Sequence, residues 1–203
     1  MRAWVASVAL VALVGCQTAK DEPARTALPP MEKPRGIQVG DAVIWLVNGK
    51  KEQRNEVTDR DGIQVTIAED TGCVFSLPTS GYAPAYSFTN CNGFTGTQNV
   101  EAPSESPFPL TVGKSWTYAY SGSNTEGNEW NDTRRCKVEA TARVTVPLGD
   151  FDTYKVVCND EFHRRTWYVS PEQGMSVKFI SHYKPDNTKR TIEMVRLEKA
   201  PGS

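Results

Sequence analysis

The sequence predicts an all-β protein that is built from antiparallel sheets. Apolar and polar residues alternate along many short stretches, as they do in strands with one buried and one solvated face. Turn-forming pairs such as Asn48-Gly49 and Asp61-Gly62 separate several of these stretches. No window shows the three- and four-residue spacing of apolar residues that indicates an amphipathic helix. We therefore predict two small antiparallel β modules, each a sandwich or a half-barrel, with at most one short helix.

The N-terminal residues 1–15 have the features of a signal peptide. A positive start at Met1 and Arg2 precedes an apolar run from Ala3 to Val14. This run has the length of a signal-peptide core and is shorter than the roughly 20 residues that a membrane-spanning helix needs. The sequence therefore predicts export of the chain.

The end of this run, Leu13-Val14-Gly15-Cys16, resembles the lipobox of bacterial lipoproteins. The resemblance implies cleavage before Cys16, a diacylglycerol thioether on its sulfur and acylation of the new N terminus. Such a set of acyl chains anchors a protein stably to a membrane. Gln17 stands where an Asp would resemble an inner-membrane retention signal, which favours the periplasmic face of the outer membrane. The alternative is an ordinary secretory signal with an unmodified Cys16.

Residues 16–35 are predicted to be a disordered tether behind the lipidated cysteine. Prolines remove backbone donors, and the segment has little apolar surface to bury. The prolines stand among Lys, Glu, Asp and Ala, at Pro23, Pro29, Pro30 and Pro34.

The first β module is predicted over residues 36–102. Its first strand places Val43, Trp45 and Val47 on one face and ends at the Asn48-Gly49 turn. A later strand follows Asp61-Gly62. Near the end of the module, the segment Asn92–Gln98 is rich in Gly and Thr, so its strand register is weakly specified. Prolines and serines between 102 and 109 mark the boundary to the second module.

The second β module is predicted over residues 103–199. Trp116, Tyr118 and Tyr120 alternate along its first strand, and we interpret this face as core, with a sugar-stacking platform as the alternative. The segment 122–132 is predicted to be a polar loop. The clearest strand runs from Cys136 to Val146, with apolar residues at every second position.

Three segments of the second module resemble a family of uncharacterised β-rich domains found in proteobacterial lipoproteins and other exported proteins. They are Phe108–Trp116, Val146–Val156 and Trp167–Pro171, in this order. The resemblance implies an antiparallel β fold and a location in the cell envelope. It supplies no catalytic residue.

Four cysteines remain besides Cys16, and an even number in an exported chain predicts disulfide bridges. Three pairings are open, and we favour the one in which each bridge stays within one module. A zinc site formed by all four is the alternative, but the chain lacks a C-x-x-C pair. The favoured bridges are Cys73–Cys91 and Cys136–Cys158.

Catalytic motifs are weak in this sequence. Asp70-Thr71-Gly72 matches the aspartic-protease triplet, but that chemistry needs two such carboxylates, so we interpret the triplet as a turn. The two histidines, His163 and His182, have no nucleophile motif or carboxylate cluster beside them and are predicted to be solvent-facing. We therefore predict no enzymatic activity, no cofactor and no metal.

Charge restricts the class of partner. The formal net charge is −1, which argues against nucleic acid because phosphate binding requires a basic surplus. Two basic pairs are candidate contacts for an anion or an acidic partner, with a solvated face as the alternative; they are Arg134-Arg135 and Arg164-Arg165.

These observations predict a lipid-anchored protein on the periplasmic face of the outer membrane that acts as a non-enzymatic binding or envelope-organising module. Its partner would be another envelope protein or a lipid. The alternative is a carrier that holds an acyl chain or another hydrophobic ligand in a curved sheet. A cavity lined by Trp116, Tyr118, Val138 and Val144 would favour the carrier, and a filled core with a surface groove would favour the binding module.

Overall fold

The computed structural model describes residue 23 and residues 27–34, 36–79 and 82–200. Within these residues the regular structure consists of twelve β-strands. Their bounds are β1 (Ala42–Val47), β2 (Lys51–Arg60), β3 (Gln64–Glu69), β4 (Val74–Pro78), β5 (Ser87–Cys91), β6 (Phe94–Val100), β7 (Ser115–Asn124), β8 (Glu129–Val146), β9 (Gly149–Asn159), β10 (His163–Ser170), β11 (Met175–Tyr183) and β12 (Thr188–Glu198).

The strands form one closed antiparallel barrel. Each strand pairs with its neighbours in sequence, and β1 pairs with β12 to complete the ring. The predicted all-β class with antiparallel pairing is confirmed, whereas the prediction of two separate modules is wrong. The physical reason lies in the edge strands. Each half alone would leave two edge strands with unpaired backbone N–H and C=O groups, and the β1–β12 and β6–β7 pairs provide partners for all four edges. The predicted boundary at 102/103 falls in the connection between β6 and β7.

Local sequence explains the hairpins. Asn48 and Gly49 adopt positive φ angles of 50° and 66° between β1 and β2, as the Asn-Gly pair predicts. In the next turn, the Asp61 carboxylate accepts hydrogen bonds from the backbone N–H groups of Ile63 and Gln64, both at 2.9 Å. Within the described residues, no helix has the length and apolar character needed to cross a membrane.

The interior contains two apolar clusters. The first lies against the inward faces of β7 to β10 and also takes residues from connecting segments, among them Tyr82 and Leu110. The second cluster contains residues of β1, β10, β11 and β12 and residues of the β8–β9 hairpin near its turn. Its buried members are Val43, Trp45, Ala142, Val144, Val146, Phe151, Tyr168, Val177 and Met194.

The β8–β9 hairpin contributes to both clusters. Val138 belongs to the first cluster, whereas Val144 belongs to the second. The pairing of β8 with β9 shifts between Val138 and Ala140, where one extra residue on β8 forms a bulge. The hairpin then reaches β12, where the Leu148 N–H donates to the Met194 carbonyl at 3.0 Å. The bulge therefore divides one long alternating strand between two parts of the core.

Part of the predicted tether is ordered against the barrel. Met31 is 6% exposed and exchanges two backbone hydrogen bonds with Leu110, at 3.2 Å and 2.9 Å. The Tyr154 hydroxyl donates to the carbonyls of Leu28 and Pro29. Residues 28–31 thus belong to the fold, which differs from the disorder predicted for 16–35. The signal peptide 1–15 and Cys16 lie outside the described residues.

Both disulfides join neighbouring parts of the sheet. Cys136–Cys158 links directly paired residues of β8 and β9, and Cys73–Cys91 links the start of β4 to the end of β5. These are the pairs favoured from the sequence.

A buried carboxylate fixes the place where the barrel closes. Asp41 precedes β1 and accepts hydrogen bonds from Gln38 N at 3.0 Å, Lys199 Nζ at 2.8 Å and Ala200 N at 3.0 Å. Burial raises the pKa of Asp41, but these hydrogen bonds outweigh it and lower the pKa to about 2. Asp41 therefore connects the start of β1 to the residues that follow β12.

Asp41→Asn should lower the free energy of unfolding at pH 7 by about 1–3 kcal/mol, because the charge-assisted hydrogen bonds are weakened. The folded-state pKa is below its unfolded value near 4, so this stabilisation is present above about pH 4 and is lost as the pH falls towards 2. Urea unfolding across this range measures the effect. The control is Asp59→Asn on the exposed surface of β2. Equal pH profiles for wild type and Asp41→Asn would contradict the role of Asp41.

Candidate functional site

A shallow, open groove lies on the outer surface of β6, β7 and β8. Its volume is about 650 Å³. Two rows of paired residues cross the three strands, with Thr97, Ser123 and Glu129 in one row and Asn99, Ser121 and Asn131 in the other. Gly122 and Trp130 complete the lining.

Strand alternation explains why these side chains point outwards. Trp116, Tyr118 and Tyr120 of β7 are buried, so the residues between and beyond them on the same strand face the opposite side. Ser121 and Ser123 therefore lie on the outer face, and their partners on β6 and β8 lie beside them.

Glycine at position 122 is required by close packing behind the groove. A Cβ atom there would lie 2.6 Å from the Thr97 carbonyl oxygen and 2.7 Å from the Trp130 indole. The indole is held by a hydrogen bond from its Nε1 to Gln98 Oε1 at 3.1 Å, and its ring stacks with Phe88. The groove floor is therefore supported from the inner side by a fixed aromatic ring.

A smaller groove of about 280 Å³ continues the first one. The two share Thr97 and Ser123, and the second extends past Thr95 to Thr125 at the end of β7. Together they form a track whose outward side chains are mainly hydroxyls and amides.

This groove was not predicted from the sequence. Residues 122–132 were predicted to be a polar loop, but β7 extends to Asn124 and β8 begins at Glu129. Short polar side chains and Gly122 weaken the strand signal, because strand propensity mostly reflects packing by branched and aromatic residues. One signal in the sequence could have indicated it. Ser121 and Ser123 continue the two-residue alternation of the Trp116 strand and therefore fall on its outer face.

The four candidate arginines lie on opposite sides of the wall. Arg134 and Arg165 face inwards and bind Asp160, whereas Arg135 and Arg164 are exposed on the outer face beside Asn159. Side chains of consecutive residues in a strand point to opposite faces of the sheet, so the two arginines of each pair lie on opposite faces. The structure therefore does not bring all four together.

The inward arginines belong to a buried charged cluster. The Asp160 side chain is 1% exposed and accepts from Arg134 Nε at 3.1 Å and from Arg165. Its other oxygen accepts from the His163 backbone N–H at 2.8 Å, and Lys184 donates to the Asp160 carbonyl. This cluster holds the β9–β10 turn against β8.

Electrostatics in the cluster match this geometry. Burial raises the pKa of Asp160, but the hydrogen bonds from His163 and the charges of Arg165 and Arg134 outweigh it and hold the pKa well below its usual range. Burial and the charge of Arg134 lower the pKa of Arg165 to about 10. Asp160 and Arg165 therefore remain charged at neutral pH.

The other candidate residues have structural positions. His163 contacts Asp160 and the Tyr183 ring, and the His182 ring forms a hydrogen bond with Asn187 at 2.7 Å on the outer surface. The Asp70-Thr71-Gly72 triplet forms the turn between β3 and β4, with Gly72 at a φ angle of 89°. In the part of the chain that the structure describes, no cluster of His, Cys, Asp and Glu has metal-binding geometry.

The aromatic face of β7 is core and not a sugar platform. Trp116 is 2% exposed and Tyr118 is 1% exposed. The Tyr82 ring, from the connection between β4 and β5, lies 5.6 Å from both the Trp116 and the Trp167 rings. Burial raises the pKa of Tyr82, as expected for a phenol inside an apolar cluster.

Comparisons with known proteins give similar solved structures and no sequence match. No protein-family model matches the chain, and no curated protein sequence matches it. A structure from Escherichia coli K12, described as the hypothetical lipoprotein YmcC, superposes with a TM-score of 0.48 at 9% identity over 77% of this chain and 83% of that chain. A Bacteroides fragilis protein, described as exported and with a YmcC-like fold, gives 0.43 at 12% identity over 84% and 100%.

Asp160→Asn should destabilise the barrel by about 3–5 kcal/mol, because the buried guanidinium of Arg134 and the partly buried guanidinium of Arg165 lose their counter-charge. Urea unfolding at pH 7 measures this change. The control is Glu139→Gln, whose partner Arg164 is largely exposed, and which should change the free energy by less than about 1 kcal/mol. Similar small effects for both variants would show that Asp160 is not required to neutralise the cluster.

Proposed function

We propose that this protein is a lipid-anchored envelope protein whose barrel is a non-enzymatic binding module, with the β6–β8 groove as its binding surface. The observation that carries the proposal is the contrast between a filled interior and an open groove on the outer wall. The residues that would line a carrier's cavity are packed in two buried apolar clusters, and the groove is lined by groups that point into solvent.

The packing of the interior argues against the carrier alternative. Trp116, Tyr118 and Val138 pack in one buried cluster with Tyr82 and Leu110, which enter from connecting segments. Val144 lies in the other cluster, against β1 and β12. The residues expected to line a lipid cavity therefore contact protein side chains, and an acyl chain would have to displace them.

The position of the titratable groups supports a non-enzymatic role. The carboxylate with the most strongly lowered pKa, Asp160, is neutralised inside the wall by Arg134 and Arg165. Glu129 is the carboxylate among the described residues that line the groove. Hydrolytic acid–base chemistry commonly uses paired groups with separated pKa values, and a single exposed carboxylate does not supply such a pair.

The lipid anchor is supported by the Leu13–Cys16 segment of the sequence. Cys16→Ser should block lipidation, leave unprocessed precursor and remove the protein from the outer-membrane fraction. Mass spectrometry of the mature N terminus, together with membrane fractionation, measures this outcome. A wild-type protein with an unmodified Cys16 or a different mature N terminus would contradict the anchor.

Filling the groove should abolish function without unfolding the barrel. Ser121→Tyr places a large side chain in the groove, whereas Ser115→Tyr places the same side chain on the same strand and outer face outside it. At matched protein levels, Ser121→Tyr should reproduce the phenotype of a deletion, and Ser115→Tyr should resemble wild type. His182→Ala should also resemble wild type. Wild-type behaviour of Ser121→Tyr would rule out the groove as the binding surface.

A further inference from the structure

We propose that the β6–β8 groove binds an uncharged oligosaccharide. This inference rests on the proposed function, because it takes the groove as the binding surface, and it names the chemical class of the ligand. Four features support it: the hydrogen-bonding groups of the lining, the charge of the groove, its length and the closure of the sheet around it.

The lining matches a polyhydroxylated ligand. Hydroxyl groups of Thr97, Ser121 and Ser123 can each donate and accept, and the amides of Asn99 and Asn131 present both a carbonyl and an NH₂ group. Sugar hydroxyls also donate and accept, so every polar group on either side can find a partner. These side chains are short, and fixing them on binding costs little rotamer entropy.

The charge of the groove excludes an anionic ligand. None of the described residues that line it is a Lys or Arg, and Glu129 would repel a phosphate, sulfate or carboxylate. The exposed basic residues of this region, Arg135 and Arg164, lie further along β8 and on β10. The groove is thus uncharged apart from one carboxylate, which can accept hydrogen bonds from sugar hydroxyls.

Strand pairing argues against a peptide ligand, and the polar lining argues against an acyl chain. A peptide that adds as a strand needs a free sheet edge, and β6, β7 and β8 are each paired on both sides. An acyl chain needs apolar walls, whereas the outward residues of the groove are hydroxyls, amides and a carboxylate. The ligand is therefore recognised by polar side chains on the face of the sheet.

The length of the track indicates a chain of sugars. From Thr95 to Asn99 along β6 the groove extends about 13 Å, at about 3.3 Å per residue. This length accommodates consecutive sugar rings.

Binding is tested with the full chain in detergent by titration calorimetry. The neutral probes are maltohexaose, cellohexaose and the hexamer of N-acetylglucosamine, and the acidic probe is hexagalacturonate. We expect at least one neutral probe to bind, with an affinity that does not change between low and high NaCl, and no binding of the acidic probe. Binding of the acidic probe alone, or of no probe, would overturn the inference.

A matched pair of variants locates the binding. Asn99→Ala combined with Asn131→Ala removes two hydrogen-bonding amides from the groove and should weaken binding about tenfold. Asn159→Ala, an exposed amide on the outer face of β9, should leave the affinity unchanged. Circular dichroism confirms that each variant is folded. Equal affinities for the double variant and the control would place the sugar elsewhere and overturn the inference.

The cellular assay separates this inference from the proposed function. If Ser121→Tyr reproduces the deletion phenotype and no neutral probe binds, the groove is a binding surface but the ligand class is wrong. If Ser121→Tyr behaves like wild type, the groove is not the functional surface and both proposals fail.

Discussion

Pairing of β1 with β12 is the interaction on which the rest of the barrel depends. It joins residues 42–47 to residues 192–198, and so converts a meander of consecutive hairpins into a ring. Without this pair, the backbone groups at both ends of the sheet would lack partners. Asp41 reinforces the pair, because its carboxylate connects the turn before β1 to Lys199 and Ala200 after β12. The ends of the described barrel therefore stabilise each other.

Closure of the barrel also determines which groups a ligand on its outer surface can contact. A closed sheet has no backbone edge to offer, so a ligand on its outer face contacts side chains only. In the groove these side chains come from three strands in two aligned rows, and their spacing follows from the sheet geometry. Trp130 and Gly122 fix this part of the sheet from behind. The rigid barrel thus positions a set of hydrogen-bonding groups without a flexible loop.

Much of the strand content was predictable, whereas the closure and the groove were not. The alternation from Cys136 to Val146 and the Asn48-Gly49 turn depend on local sequence, and the structure contains both. The β1–β12 pair joins residues about 150 positions apart, and alternation contains no information about which distant strand is the partner. Tyr82 and Leu110 enter the core from connections, where no periodic pattern marks them. The groove consists of outward polar residues, which look like any solvated face until three strands are aligned.

The inner side of the barrel wall has a cluster of paired charges, whereas the groove on the outer side is mostly neutral. This difference supports the proposal that a ligand binds at the outer surface and not inside the barrel. Inside, Arg134, Asp160 and Arg165 neutralise one another in a place with little solvent, where an unpaired charge is costly. Outside, apart from Glu129, the groove has small neutral side chains whose hydrogen bonds can exchange between water and a ligand. These three charged groups are already committed to the fold, so a change in their partners would cost stability. The outer groups can gain a partner without that cost, which supports the proposal that the groove is a binding surface.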